Sequence, residues 1–102
     1  MNEINQEQSK LLLDLSCQFF EIDRELLLSK QKNQELIRPR RFIMAFLKSK
    51  GLKEKSIASV ISKDRTTIYH HLKKHKNFFD VEKQYKEDFE NFEEFLQNQL
   101  SL

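Results

Sequence analysis

The sequence predicts an all-α fold of six helices that contains a helix-turn-helix. Three observations carry this. The 102 residues include one Gly and one Pro, whereas a sheet protein of this size needs several turns, which draw on Gly, Pro, Asn and Asp. Apolar residues recur at helical spacing along most of the chain. Two short helical runs within 53–74, KEKSIASVISKDRTTIYHHLKK, are separated by a brief polar turn, the pattern of a helix-turn-helix. The length is that of one domain, 1–102, with room for one modest core. With 38% hydrophobic and 33% charged residues, the chain has the composition of a folded protein and not of a disordered tail.

The elements follow in order. Helix one is expected over about 4–20, because Ile4, Leu11, Leu12, Leu15 and Phe19 share one stripe of a 3.6-residue period. Glu21-Ile22-Asp23 makes a corner, and Asp23 is placed to cap a short second helix from Arg24 to about Leu28. Residues 29–38 read as a polar connection or a frayed helix start. Pro39 suits the first turn of helix three, where its missing N–H costs nothing. That helix runs to about Lys50 with Phe42, Ile43, Phe46 and Leu47 inward, and Gly51 supplies a left-handed C-cap. Helix four covers about Glu54 to Ile61. Ser62-Lys63 is a tight turn, and Asp64 is the N-cap of helix five, Arg65 to Lys74 or His75. Helix six begins near Asp80, with Val81, Tyr85, Phe89, Phe92 and Leu96 on its apolar face. Helices one, three and six are expected to build the core, and four and five the reader. The nine phenylalanines mostly fall at core-facing positions, so their expected role is packing and not base stacking.

Composition narrows the function classes. One glycine cannot build a Walker A loop or a dinucleotide fingerprint. The lone Cys17 allows no intrachain disulfide, consistent with a reducing compartment. The polar start, MNEINQEQSK, is not a signal peptide, and no window reaches the roughly twenty apolar residues of a membrane span. No nucleophile–base pair stands out. His71 and His75 lie at i, i+4, but no Cys ligand is near and no Glu sits within the run, so neither a metal site nor a cofactor is expected. The expectations are a non-enzymatic, cytoplasmic protein with no small-molecule substrate and no membrane partner.

Charge is segregated. Residues 1–28 hold two basic and six acidic residues, 29–76 hold fourteen basic and three acidic, and 77–102 hold two basic and seven acidic. A basic middle between acidic ends is the footprint of a polyanion-binding face. The start of helix five lies within it. Arg65 can donate a bidentate pair to guanine O6 and N7. Thr66 offers a hydroxyl and a methyl, and Thr67 can hold a phosphate at the helix N-terminus. Asp64 can serve as the cap alone or also accept from cytosine N4. Lys73, Lys74 and Lys76 are expected at the far end, stabilising the dipole and reaching the backbone, with His70 or His71 near phosphate and His75 capping the helix.

Three blocks, CQFFEIDRELLLSK, RPRRFIMAFLK and SIASVISKDRTTIYHHLKK, followed by a helix containing KEDF, occur in an order and spacing that resemble the C-terminal DNA-binding domain (domain IV) of the bacterial replication initiator DnaA. The resemblance covers nearly the whole chain. It implies a Trp-repressor-like helix-turn-helix and double-stranded DNA as partner. It implies a minor-groove role for Lys32, at the position of the family's basic-loop arginine. Phosphate contacts fall to Arg40, Arg41 and Lys48, and major-groove reading to Asp64, Arg65, Thr66 and Thr67. With Lys63 and Lys73, these residues make up the expected DNA-facing set. Three departures stand out: Arg65 replaces the family's histidine, Ser62-Lys63 replaces its Gly-Gly, and the basic loop is diluted to Gln31, Lys32, Asn33, Gln34 and Glu35. The family's ATPase domain is absent from the sequence, so a stand-alone protein or an excised domain is expected, monomer favoured. A stand-alone form could not assemble the ATP-dependent initiation filament and would look more like a regulator or a competitor for initiator sites, within a role in replication initiation or its regulation. The alternatives are a stand-alone transcription regulator, or a protein-interaction module docking through its acidic helix six.

Overall fold

A computed structural model describes residues 5–101. Among them the chain forms six helices and no strand: α1 (Gln6–Phe20), α2 (Arg24–Leu28), α3 (Gln34–Ser49), α4 (Glu54–Ile61), α5 (Arg65–Val81) and α6 (Lys83–Leu100). Helix α1 opens with a capping box. Asn5 Oδ1 accepts from Gln8 N–H at 2.8 Å, and Gln8 Oε1 accepts from Asn5 N–H at 3.1 Å, which satisfies two otherwise orphaned donors. It closes at Glu21, which takes the left-handed conformation at φ 56°. Ile4, expected in the first stripe, lies outside the described residues. The buried face of α1 is Leu12, Leu13 and Ser16, and Leu11 and Phe19 are exposed. The helix is thus rolled by about one residue from the expected stripe, and Ser16 is accepted inside because its Oγ donates to Leu12 O at 2.7 Å.

Helix α3 is the central post. Residues from Pro39 to Leu47 are all buried, and α1, α2, α4, α5 and α6 all pack on it. It starts five residues before the Pro39 turn expected from sequence. Leu36 is buried and Ile37 half-buried, so docking of the first turn favours helix there. Pro39 removes only the bond that Glu35 O would accept, and exposed Glu35 leaves that carbonyl to water. Phe42 makes edge-to-face contacts with Tyr85 and Phe89, centroids 5.2 and 5.3 Å away, and Phe92 joins Phe20 at 5.1 Å. Such pairs contribute about 0.5–1.5 kcal/mol each beyond their burial. The aromatic cluster ties α1, α3 and α6 into the core, as expected for those three helices.

Helix α5 departs most from the sequence reading. It continues past His75 to Val81, and only Glu82, in an extended conformation, separates it from α6. No breaker occurs in Lys76–Asp80, and Phe78 and Phe79 bury part of their surface on the core, which extends the helix. Val81 therefore ends α5, 78% exposed, and is not on the apolar face of α6. His75 is mid-helix, not a cap; its Nδ1 is 2.8 Å from Tyr85 Oη. Among the described residues no helix is long and apolar enough to cross a membrane.

Candidate nucleic-acid interface

Helices α4 and α5 interlock through Ile57, Ile61 and Ile68, all fully buried, with Ala58 and Leu72 partly buried beside them. The turn between them is short because Ser62 adopts φ 57°, which lets Lys63 N–H return to Ala58 O at 3.1 Å. This is a Schellman-type closure with serine where glycine is the easier choice. Asp64 then caps α5: its Oδ1 accepts from Thr67 N–H at 2.7 Å. That bond holds the Asp64 carboxyl below its ordinary pKa, so it is an anion in the neutral range. Arg65 and Thr66 are exposed beside it, and Thr67 is half-buried.

Two grooves flank α5. The first has a volume of about 560 Å³ and is lined by the connection after α2 (Lys30, Lys32), by Arg41 of α3 and by Thr67, His71 and Lys74 of α5. The second lies on the other side, with Lys48, Glu54, Tyr69, Lys73 and Lys76. Between them Thr66, His70 and Lys73 form an outward row at i, i+4, i+7, all exposed. Nine of the fourteen basic residues in the 29–76 block thus line two cationic grooves with a helix ridge between them.

Arg40, expected to face DNA, also lines the first groove but is the most fully engaged of its cations. It is 4% exposed. Its Nε donates to Leu27 O at 2.9 Å, Nη1 to Gln31 O at 2.6 Å, and Nη2 to Leu26 O and Ser29 O at 3.0 and 2.9 Å. A guanidinium engaged this fully is a fold element and not a free phosphate clamp. Lys63 is likewise engaged: its Nζ donates to Ser29 O at 2.6 Å and Leu28 O at 3.2 Å. Burial, with Arg40 nearby, pushes the Lys63 ammonium below its ordinary pKa.

Arg41 lies on the groove floor, 8% exposed, with its guanidinium 5.4 Å above the Phe78 ring. Its Nε donates to His71 Nδ1 at 3.2 Å, which assigns the ring proton of His71 to Nε2. Burial, then Arg41, pushes His71 down to about 4, so it is neutral. Lys48 is paired with Glu54 at 2.8 Å and remains half exposed. An exposed pair contributes little and exchanges readily for another anion. Lys32 and Lys73 are exposed. Lys73, Lys74 and Lys76 are mid-helix, so their expected dipole-stabilising role does not apply.

Three side chains beside the expected set were not singled out from sequence. Lys30 lines the first groove; its signal was only its place two residues before Lys32. Tyr69, 59% exposed, shares a helix row with Arg65 and Lys73, a spacing that could have been read. Glu54 reaches Lys48 across an inter-helix corner, which no local pattern encodes. Among the described residues no group of three His, Cys, Asp or Glu side chains could hold a metal ion. Cys17 is half-buried, and burial, then Asp14, raises its thiol pKa, the opposite of an activated nucleophile.

No curated protein matches the chain. Residues 10–74, from α1 through the first ten residues of α5, match the family model described as the bacterial dnaA protein helix-turn-helix. That match covers more than half of the sequence and includes both helices and the turn of the reader, and the chain belongs to this family of helix-turn-helix domains.

Proposed function

We propose that this protein binds double-stranded DNA sequence-specifically, with the start of α5 in the major groove. The observation that carries the reading is the exposed start of α5, with Arg65 turned outward, standing between two lysine-lined grooves. A ridge of this kind fits the major groove, and the flanking grooves then meet the phosphates of the two strands. Arg65 donates to guanine, Thr66 contacts a thymine methyl or a phosphate, and Thr67 approaches the backbone at the helix N-terminus. Asp64 caps the helix and accepts from a cytosine amino group. Lys32 lies toward the minor groove. Arg41 and Lys74 meet one strand, and Lys48 and Lys73 meet the other, Lys48 after leaving Glu54. Arg40 and Lys63 support the interface from within. Family membership supports a role in replication initiation or its regulation, with the whole chain, 1–102, acting as one monomeric domain.

Salt titration of duplex binding tests this. Neutralising about six phosphates gives a slope near −5 in log K against log salt. No duplex binding at low salt would sink the proposal and favour a protein-docking role for acidic α6. Selection from random duplex then separates the roles. A motif like the family's initiator box supports replication, and a palindrome supports a dimeric transcription regulator.

A further inference from the structure

We propose that Lys63 is a positioning residue that fixes the register between the loop carrying Lys32 and the start of α5. This deepens the DNA-binding reading above and rests on it. Lys63 sits in the α4–α5 turn, directly before the cap Asp64. Its ammonium is turned back into the molecule, onto the carbonyls of Leu28 and Ser29 at the end of α2. Those carbonyls have no further helix to accept from, and the negative end of a helix favours a cation. Arg40 holds the same segment from the α3 side, at Leu26, Leu27, Ser29 and Gln31. One cation therefore anchors the segment to the central post, and the other anchors it to the reader turn. The short connection that follows α2 carries exposed Lys30 and Lys32. Lys63 makes this connection and the cap of α5 move as one body. A duplex read by both elements must then present its two contact points at a fixed spacing, and any site with another spacing loses one of them. The role of Lys63 is selectivity for that spacing, not phosphate neutralisation.

The test uses the full chain, with Lys63→Met, Lys63→Arg, Lys32→Ala and the Lys63→Met/Lys32→Ala double variant. Affinity is measured across a salt series for a selected duplex and for a random-sequence duplex. Lys63→Met weakens the selected duplex about tenfold, the scale of one lost charged hydrogen bond. It leaves the random duplex within roughly twofold and its salt slope nearly unchanged, because Lys63 itself meets no phosphate, whereas on the selected duplex the slope flattens only as far as it does in Lys32→Ala. Lys63→Arg, which keeps a donor, restores the selected affinity. The double variant is no weaker than Lys32→Ala by more than roughly twofold, because both changes remove the same contact. In the free protein, amide exchange of residues 29–33 speeds up in Lys63→Met, a readout independent of DNA. A salt slope flattened by about 0.9, with equal loss on both duplexes, would make Lys63 a phosphate contact and overturn the proposal. Effects of Lys63→Met and Lys32→Ala that multiply would also overturn it. Wild-type chain that binds no duplex would sink the DNA-binding reading itself, a result distinct from either.

Discussion

Arg40→Met separates a fold role from a DNA role. Methionine keeps most of the apolar stem and removes every donor. Four carbonyl oxygens, those of Leu26, Leu27, Ser29 and Gln31, lose a charged partner. A hydrogen bond to a charged group contributes about 1.5–3 kcal/mol, and a buried acceptor left unpaired costs the full desolvation. Only the Leu27 bond is fully buried; the other three are half-buried, so water replaces part of each. Lys63 also retains Ser29 O. Counting the Leu27 bond in full and the rest in part gives a loss of about 3–5 kcal/mol. In a chain of this length that lowers the melting temperature by roughly 15–25 °C. Urea unfolding followed by circular dichroism measures the stability, and a salt titration of duplex binding on the folded variant measures the rest. A cost below about 1 kcal/mol, together with a salt slope flattened by about 0.9, would show that Arg40 meets phosphate and would refute the reasoning.

Arg65→Ala should cost about 1–3 kcal/mol on a selected duplex and relax preference at one base pair, as read by repeating the selection with the variant. Equal loss on every sequence would instead place Arg65 on the backbone. Ser62→Gly should leave the protein equally stable or raise its stability by up to about 1 kcal/mol, because Ser62 holds φ 57°; a clear loss in urea unfolding would mean that the serine side chain matters to the turn. Acid should destabilise the fold through two neutral histidines. Burial, then Arg41, holds His71 and His75 at about 4 against an ordinary 6.5. Depressed folded values mean that the unfolded chain takes up protons first. Stability is therefore fully present above pH 6.5, is lost as pH falls toward 4, and levels off below that, by about 1–2 kcal/mol per histidine after discounting for solvent screening of the half-buried rings. Urea midpoints across this range should fall, and His75→Gln should remove roughly half of the fall. A flat profile would contradict the burial of both rings.

Much of the fold was legible because its signals are local. The α4 boundaries, the start of α5 and the cap at Asp64 follow from apolar period and from a side chain that reaches its own helix N-terminus. Phe42, Ile43, Phe46 and Leu47 were readable as core from spacing alone. The early start of α3 and the length of α5 were not. Both helices extend because burial of Leu36 in the first turn of α3, and packing of Phe78 and Phe79 against the core, outweigh a proline or a polar run. The one-residue roll of α1 has the same origin. Leu11 and Leu12 both fit a helical stripe, and only the packed neighbours decide which is buried.

The interface divides along the same line. By itself the sequence determined that the cations are concentrated in residues 29–76, that Asp64-Arg65-Thr66-Thr67 begins a helix, and that this helix is the second of a helix-turn-helix. These are properties of composition, period and a three-residue reach. Which cations are free was decided by tertiary structure. Arg40 and Arg41 are chain neighbours of the same chemistry that line the same groove, yet the donors of Arg40 are engaged by the carbonyls of residues 26–31, and Arg41 instead bonds His71. Lys63 turns inward and Arg65, two residues on, turns outward. A positive charge is drawn to whatever unpaired acceptor lies within reach, and only the packing of α2 against α3 and the α4–α5 turn brought such acceptors to Arg40 and Lys63 while leaving Arg65 to solvent.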